Sequence, residues 1–287
     1  MAIYHLHAKI ISRSSGQSAV ASSAYRSGEI LLDERLGQTF DYTKKGGIVH
    51  TEIMAPENAP DWMEARKKLW NGAEAKERRK DAQIAREVEV ALPRELSKEQ
   101  NVELVREFVK DNFVSQGMVA DIAIHESAAT DGEKNPHAHI MLTMREVTED
   151  GFANRKNRDW NKTETLEQWR EKWAEITNRH LEMANVNETI DHRTLEAQGI
   201  DREPGFHLGH EVSAMERKGI LTDVGDRLRR ICSINRAMQM VTNMLKWLGE
   251  ETRETYERFR AYNEYMEMRE QGRRSPRIED GLDGQQL

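Results

Sequence analysis

Three histidines lie close together in a segment whose residue types favour metal binding. Residues 124–142 read IHESAATDGEKNPHAHIML and contain His125, His137 and His139. Alternate residues of a β-strand share a face, so the side chains of His137 and His139 should point the same way. Imidazole nitrogens bind zinc, manganese, nickel and other first-row ions, so the spacing predicts a metal site without choosing the ion. Two surface histidines on an edge strand would show the same spacing.

The third histidine joins the other two if the segment folds as a hairpin. Residues 118–125 and 137–144 both alternate between apolar and polar side chains and predict two β-strands. In an antiparallel pair, His125 would lie opposite His137, with the two side chains about 5 Å apart. Three imidazoles on rigid strands leave coordination positions open, which is typical of catalytic metal sites. The other face, which we expect to be buried, carries Ile122, Ile124, Ile140 and Leu142.

Two glutamates share one face of another predicted strand. Residues 85–93, AREVEVALP, alternate so that Glu87 and Glu89 face one way and the valines between them face the other. A carboxylate beside a metal-bound histidine can accept the second ring N–H, or take a proton during catalysis. A solvent-facing strand edge would show the same alternation, so the pattern alone leaves the role of these acids open.

A tyrosine ends a short segment of small residues. SAVASSAYR, residues 18–26, predicts a helix that is stopped by Ser27–Gly28. Its serines and alanines would allow a bulky partner to approach closely. Tyrosine is an accepted covalent nucleophile, but a phenol that ionises near pH 10 needs activation. An isolated tyrosine on a helix is more often a packed ring. Tyr25 is therefore a candidate nucleophile only in combination with the histidines.

The order of the predicted elements indicates the fold class. Strands and helices mix without strict βαβ alternation, which predicts an α+β domain with a central, largely antiparallel sheet flanked by helices. Further strands are predicted over residues 2–11 and 46–54, and helices over 60–84, 97–117 and 165–184. We expect the α+β domain to span residues 1–210, a charged helical extension 211–270, and a disordered tail 271–287.

The predicted extension carries apolar residues at spacings of three and four. That spacing is close to the heptad seam of a coiled coil and is typical of a helical hairpin or a self-association surface. The seam consists of Val224, Leu228, Ile231, Ile234, Met238, Val241, Leu245 and Leu248.

The charge of the whole chain differs from the charge of its parts. The 43 lysines and arginines and 50 aspartates and glutamates give a net charge of −7, which does not suit a simple basic nucleic-acid binder. Basic runs with a nearby aromatic nevertheless suit single-stranded DNA, whose phosphates pair with cations and whose bases stack on rings. Solvated helices or loops would look similar, since acids interrupt the first run. The candidates are Lys67, Lys68, Arg78, Arg79, Arg155, Lys156 and Trp160.

Cysteine content and hydropathy bear on the compartment. The single cysteine, Cys232, cannot form an intrachain disulfide and fits a reducing cytoplasm. The first ten residues lack the long apolar run and cleavage site of a signal peptide. No stretch approaches the roughly 20 apolar residues of a membrane span, so we expect no membrane insertion.

Four separated segments, in this order, resemble one protein family. They are YHLHAKIISRSSGQSAVASSAYR, AREVEVALPREL, NPHAHIML and DHRTLEAQGIDREPGFHLG. Together they resemble the plasmid mobilisation relaxases of the MobA/MobL type, the MobQ class of the HUH endonucleases, and the resemblance covers roughly residues 1–220. No Walker-type GxxxxGK[ST] motif of an attached helicase is present.

The resemblance implies roles for individual residues. Tyr25 falls on the family's nucleophile, and the metal ligands fall on His125, His137 and His139. The acidic residue falls on Glu87 by preference, with Glu89 as the alternative. We expect the metal to be Mn²⁺ or Mg²⁺, with Zn²⁺ or Ni²⁺ as alternatives. Adjacency to the nucleophile suggests that Arg26 holds the scissile phosphate.

The implied function is site- and strand-specific nicking and rejoining of DNA at a plasmid origin of transfer. The enzyme would pass through a covalent 5′-phosphotyrosine intermediate and initiate conjugative mobilisation in the bacterial cytoplasm. Its partners would be single-stranded origin DNA and accessory mobilisation or coupling proteins. One alternative is a rolling-circle replication initiator with the same chemistry, which is disfavoured because such proteins usually place the tyrosine after the histidines. A non-catalytic single-stranded DNA-binding protein with a structural metal is another, and a zinc hydrolase would leave the Tyr25 segment and the basic runs unexplained.

Overall fold

Short and long elements alternate irregularly along the chain. The computed structural model describes residues 4–128, 133–200, 202–206 and 208–273. The strands are β1 (Leu6–Ser12), β2 (Ile30–Asp33), β3 (Gln38–Asp41), β4 (Ile48–Met54), β5 (Gln83–Ala91), β6 (Ala120–Ala128), β7 (Lys134–Thr143), β8 (Val147–Thr148) and β9 (Gly151–Phe152). The helices are α1 (Ala19–Ser27), α2 (Arg66–Lys76), α3 (Lys98–Asn112), α4 (Thr163–Met183), α5 (His210–Arg217) and α6 (Asp223–Arg273).

A five-stranded sheet forms the centre of the first unit, which ends at His192. The strand order is β1-β5-β7-β6-β4, and every neighbouring pair is antiparallel. The predicted α+β class is therefore confirmed. Two small hairpins, β2–β3 and β8–β9, lie outside the sheet. We did not predict them, because their strands are too short for alternation to stand out.

One face of the sheet packs against α3 and α4. The apolar side chains of β5, β6 and β7 on this face contact an aromatic cluster in which Phe108 and Trp173 are fully buried. The apolar stripe of α4, Trp169, Trp173 and Ile176, is buried here. A capping box begins α3: the Ser97 hydroxyl accepts from Gln100 N, and the Gln100 side chain accepts from Ser97 N.

The opposite face of the sheet is partly covered by α1 and α2. Asp121 of β6 is buried under them and accepts hydrogen bonds from Ser23 Oγ at 2.6 Å, Trp70 Nε1 at 2.8 Å and Arg66 Nε at 2.9 Å. A buried carboxylate needs such partners to offset its lost hydration. Asp121 therefore fixes both covering helices to the strand that carries His125.

The helix predicted over residues 60–84 was too long. A 3-10 turn occupies Asp61–Glu64, α2 ends at Lys76, and β5 already begins at Gln83. Ala82 and Ile84 are buried against the α1–α2 side of the sheet. Strand pairing and burial of these two residues outweigh the helical propensity of the charged segment before them.

The second unit begins at Arg193, earlier than the predicted boundary at residue 210. It contains α5 and the 51-residue α6. The last described residue of α6, Arg273, lies three residues inside the segment 271–287 that we predicted to be disordered. Residues 274–287 lie outside the described residues. Among the described residues, no helix has both the length and the apolar character needed to cross a membrane.

Candidate functional site

Three histidines converge on the sheet face that α1 and α2 only partly cover. His125 pairs directly with His137 across β6 and β7, and His139 follows on the same face of β7. The ring centroids are 5.5 Å apart for His125 and His137, 4.9 Å for His125 and His139, and 5.1 Å for His137 and His139. One ring nitrogen of each lies within 4.8 Å of the others, close enough to hold one metal ion.

Each imidazole has one nitrogen engaged by an oxygen acceptor. His125 Nε2 donates to the carbonyl of Arg26 at 2.7 Å, and His137 Nδ1 donates to the carbonyl of Asn135 at 2.9 Å. His139 Nδ1 donates to Glu87 Oε1 at 2.8 Å. These acceptors fix the tautomers, so Nδ1 of His125 and Nε2 of the other two carry the lone pairs. This donor set fits a first-row divalent ion.

The local environment favours the neutral form of two of these imidazoles, those of His125 and His137. Burial lowers the pKa of His125 to about 4, and the neighbouring charges of Lys45 and the other two histidines act in the same direction. Burial also lowers the pKa of His137. The neutral imidazole is the form that binds a metal, so these two histidines need not lose a proton to bind one at neutral pH.

Glu87 is a buried carboxylate with three cationic or N–H partners. Its side chain is 0% exposed and contacts Arg26, Lys9 Nζ at 3.0 Å and His139. Burial alone would raise its pKa, but the hydrogen bonds from His139 and Arg26 and the charges of Arg26 and Lys9 hold the pKa well below its usual range. Such a carboxylate is a poor proton acceptor and a good orienter of His139.

Glu89 differs from Glu87 in both exposure and contact. Its side chain is 32% exposed, and its Oε2 is 3.8 Å from His139 Nδ1, beyond hydrogen-bond distance. Of the two candidate acids, the hydrogen-bonded one is Glu87.

Arg26 connects α1 to two of the three histidines. Its Nε donates to Glu87 Oε1 at 2.5 Å, a second nitrogen of the fork contacts Glu87 Oε2, and Nη1 donates to the carbonyl of Ser22 at 2.8 Å. Its own carbonyl accepts from His125. We predicted that Arg26 holds a phosphate, but its guanidinium fork faces Glu87 in this structure.

Tyr25 precedes Arg26 and lies at the surface beside the cluster, with 49% of its side chain exposed. The helix that carries it is capped at both ends. Ser18 Oγ accepts from Ala21 N at the start, and Gly28, with a φ of 70°, ends the helix by donating to the carbonyl of Ala24. The left-handed conformation at Gly28 favours glycine. The stop at Ser27–Gly28 was predicted from the sequence, whereas the cap at Ser18 was not.

Sequence reasoning missed two lysines at this site. Lys45 Nζ lies 3.7 Å from the Tyr25 ring centroid, and Lys9 pairs with Glu87. Lys9 could have been found, because it lies opposite Glu87 once β1 and β5 pair. No local pattern reveals Lys45, since its place depends on how the connection between β3 and β4 folds over α1.

Comparison with known proteins identifies the family. The sequence model described as the MobA/MobL family matches residues 17–218. The chain belongs to the MobA/MobL family. This confirms the resemblance seen in the four sequence segments.

Relatives of this MobA/MobL protein are named for conjugal transfer or mobilisation. It is 40% identical over 261 residues to the conjugal transfer protein TraA of Agrobacterium fabrum, a match that covers 80% of this chain and 23% of TraA. It is 37% identical over 247 residues to the mobilization protein MobL of Acidithiobacillus ferridurans, covering 76% of this chain and 65% of MobL. The chain thus spans less than two thirds of these relatives.

One solved structure is similar in both fold and sequence. It is described as "Molecular Basis of Vancomycin Resistance Transfer in Staphylococcus aureus" and superposes with a TM-score of 0.62 at 34% identity. The match covers 67% of this chain and 100% of that chain.

The predicted DNA-contacting residues of this MobA/MobL protein fall into separate groups. Arg79, Arg155 and Lys156 line one open groove of about 1100 Å³, together with Arg145 and Arg158. Lys156 also pairs with Glu77 at 3.2 Å. The remaining basic candidates, Lys67, Lys68 and Arg78, are exposed but are not among the residues that line this groove.

The structure corrects the prediction that Trp160 contacts DNA. We expected its ring to stack on bases, but it is 4% exposed and belongs to the core between the sheet and α3 and α4. A buried ring has no free face to offer a base. The basic residues around it made a packed tryptophan look like part of a binding surface.

We predict that Glu87→Gln weakens binding of Mn²⁺ by about 10- to 100-fold, because loss of an outer-sphere carboxylate typically costs that much. Glutamine keeps the shape but removes the charge that holds the N–H of His139. Isothermal titration calorimetry of the purified protein measures the affinity.

Glu89→Gln is the matched control, and it should change the affinity less than about threefold, since Glu89 makes no hydrogen bond to His139. Equal losses in both variants would contradict the assignment of Glu87.

Proposed function

We propose that this protein nicks and rejoins one DNA strand at a plasmid origin of transfer through a covalent 5′-phosphotyrosine on Tyr25. The observation that carries the proposal is the direct connection of the tyrosine helix to the histidine cluster. Arg26, the next residue, accepts from His125 through its carbonyl and contacts Glu87 through its guanidinium. A nucleophile and a phosphate-binding metal must be held in fixed relation for an in-line attack.

The reaction would exchange one phosphate ester for another. The Tyr25 oxygen attacks the phosphorus and forms a new P–O bond, while the bond from phosphorus to the 3′-oxygen breaks. The phenolic proton passes to solvent, and the released 3′-oxygen takes up a proton to become a hydroxyl. The ester bond is conserved in the phosphotyrosine, so attack by a 3′-hydroxyl can reverse the step without ATP.

The three histidines would hold the divalent ion. Such an ion supplies Lewis-acid stabilisation to the non-bridging phosphate oxygens. Mn²⁺ or Mg²⁺ is the ion that we propose, with Zn²⁺ or Ni²⁺ as alternatives, since imidazole ligands accept all of them. Glu87 would orient His139 and Arg26 would hold Glu87, so both residues act on the ion indirectly.

The basic groove offers a path for the DNA strand. Gln83 lines the groove, and Glu87 follows four residues later on β5, about 13 Å away along the strand. A single strand that lies along the groove could therefore extend to the metal cluster. Its phosphates would meet Arg79, Arg155 and Arg158, while asparagine side chains of the same groove could contact bases.

The names of the relatives support this function over its alternatives. TraA and MobL are named for conjugal transfer and mobilisation, not for replication. A non-catalytic binding protein would not require a tyrosine beside the histidine cluster. The lone cysteine, Cys232, remains consistent with our proposal that the reaction takes place in the bacterial cytoplasm.

We predict that Tyr25→Phe abolishes a covalent protein–DNA adduct and leaves DNA binding within about twofold of wild type. The assay incubates the protein and Mn²⁺ with single-stranded oligonucleotides that together cover its plasmid. Denaturing gel electrophoresis detects the adduct, and fluorescence anisotropy measures binding.

The control is Tyr256→Phe, which changes an exposed tyrosine of α6 and should form the adduct normally. An adduct that persists in Tyr25→Phe would refute the nucleophile, and wild-type protein that forms no adduct with any oligonucleotide would refute the proposed function.

We predict that Arg155→Ala weakens binding of single-stranded DNA and lowers the slope of log affinity against log salt by about 0.7, as expected for one lost phosphate contact. Lys172→Ala, an exposed change on α4, should leave the slope unchanged. Anisotropy titrations between 50 and 200 mM NaCl, about a fourfold range of salt, measure both slopes. An unchanged slope in Arg155→Ala would exclude this residue from the DNA path.

We also propose that α6 associates with α6 of a second copy. Spacings of three and four continue without a break over 36 residues, about 54 Å of helix. Leu245 and Phe259 on this seam are 64% and 61% exposed. The seam predicted from the sequence thus continues beyond Leu248 through Thr252, Thr255, Phe259, Tyr262 and Met266. Ile231 is already buried, so the residues from Ile234 onward are the ones that we propose contact the second copy.

Sedimentation equilibrium tests this association. Wild-type protein should form a dimer at micromolar concentration, and Leu245→Glu should be monomeric because it places a charge in the seam. Lys246→Glu, the neighbouring position outside the seam, should remain dimeric. A monomeric wild type would refute the self-association of α6. Accessory and coupling proteins are the other partners that we propose.

A further inference from the structure

The connection between β3 and β4 places a lysine on the face of the Tyr25 ring. Lys45 Nζ is 3.7 Å from the ring centroid and also donates to the carbonyl of Tyr25 at 2.7 Å. The ring of Tyr42, in the same connection, contacts that of Tyr25 in a T-shaped arrangement, with centroids 5.2 Å apart. The nucleophile proposed above therefore contacts both an ammonium and a second aromatic ring.

The backbone that carries Lys45 is fixed on both sides. Lys45 N donates to the carbonyl of Tyr42 at 2.9 Å, and Glu126 N of β6 donates to the carbonyl of Gly47 at 2.7 Å. Gly47 has a φ of 81°, and a Cβ there would lie 2.8 Å from the carbonyl oxygen of Glu126. Only glycine permits this close approach, which brings the connection against the residue after His125.

Lys45 lies among the charged groups of the site. Burial lowers its pKa to about 8, the charge of Arg26 acts in the same direction, and Glu87 opposes both. The charge of Lys45 in turn lowers the pKa of His125 and of His137. Arg26 on α1, Glu87 on β5 and the two histidines on β6 and β7 are thus the groups that face it. Below pH 8 Lys45 is a partly desolvated cation beside the tyrosine.

We propose that Lys45 is a positioning residue for Tyr25, holding its ring in place and stabilising the negative charge that the ring gains during attack. The face of an aromatic ring attracts a cation, and the attraction grows as the phenol oxygen loses its proton. An ammonium already in place stabilises that charge without further reorganisation. This inference rests on the proposed function, in which Tyr25 is the nucleophile.

Three variants test the proposal with the oligonucleotide that forms the adduct with wild type. Lys45→Met removes the charge, and we expect the rate of adduct formation to fall by about 3- to 30-fold. The rising limb of its pH–rate profile should also move to higher pH, which a purely structural role would not cause. Lys45→Arg should restore most of the rate. Lys44→Met changes the exposed neighbour and should behave as wild type.

A DNA-free measurement separates this proposal from the proposed function. In protein labelled with 3-fluorotyrosine, the fluorine resonance missing from Tyr25→Phe belongs to Tyr25. We expect this resonance to shift in wild type as Lys45 loses its proton near pH 8. This step should be absent in Lys45→Met, with unchanged thermal unfolding, and absent near pH 8 in Lys45→Arg, whose side chain stays charged.

The outcomes distinguish the two claims. Wild-type protein that forms no adduct refutes the proposed function, while a step near pH 8 that disappears in Lys45→Met still supports the effect of Lys45 on the ring. Wild-type protein that forms the adduct, together with an unchanged rate and pH profile in Lys45→Met, overturns the role of Lys45. A wild-type Tyr25 resonance without the step near pH 8 overturns it as well.

Discussion

The buried carboxylate of Glu87 is the interaction on which the site depends. An ionised carboxylate with no solvent exposure is costly unless cations and N–H donors replace its hydration. Arg26, Lys9 and His139 provide them from three different elements, α1, β1 and β7. Because all three converge on one charge, the position of α1 over the sheet is tied to the orientation of a candidate metal ligand. Moving α1 would remove Arg26 from the buried charge of Glu87.

The covering helices determine which part of the sheet remains open. Asp121 anchors α1 and α2 over β6 four residues before His125, on the same face of the strand. The cover thus extends close to the histidines, with Arg26 near its edge and Tyr25 exposed beside it. Burial from one side lowers the pKa of His125, while the exposed tyrosine can be reached by a polymer that could not enter a closed pocket.

The sequence predicted the parts of the site that follow from strand periodicity. The period of two predicted that His137 and His139 share a face, and hairpin pairing predicted that His125 lies opposite His137. The observed register of β6 and β7 pairs these two residues. Periodicity could not choose between Glu87 and Glu89, because both share a face. Their difference arises from α1, whose Arg26 reaches only Glu87. The end of α1 at Gly28 was predictable because the signals that stop a helix are local in sequence.

Other features could not be predicted from the sequence because they depend on packing between distant segments. Trp160 looked exposed because of its basic neighbours, but its burial depends on α4 and the sheet. The charged segment after α2 is not helical, although its sequence favours a helix, because the chain enters β5 and buries Ala82 and Ile84 in the core. Lys45 gave no signal, since its contact with Tyr25 requires both the fold of the β3–β4 connection and the close approach at Gly47.

The charges of the site also explain how a chain of net charge −7 can suit an anionic substrate. Lys9 and Arg26 pair with the buried carboxylate of Glu87, whose charge also acts on Lys45, and a divalent ion on the histidines would add two more positive charges. The charge of Arg26 helps to lower the pKa of Lys45, which means that the two cations repel each other. A phosphodiester between Tyr25 and the histidines would offset that repulsion. The local excess of cations, not the net charge, is what the proposed DNA substrate would meet, because charges more than about 10 Å away are largely screened.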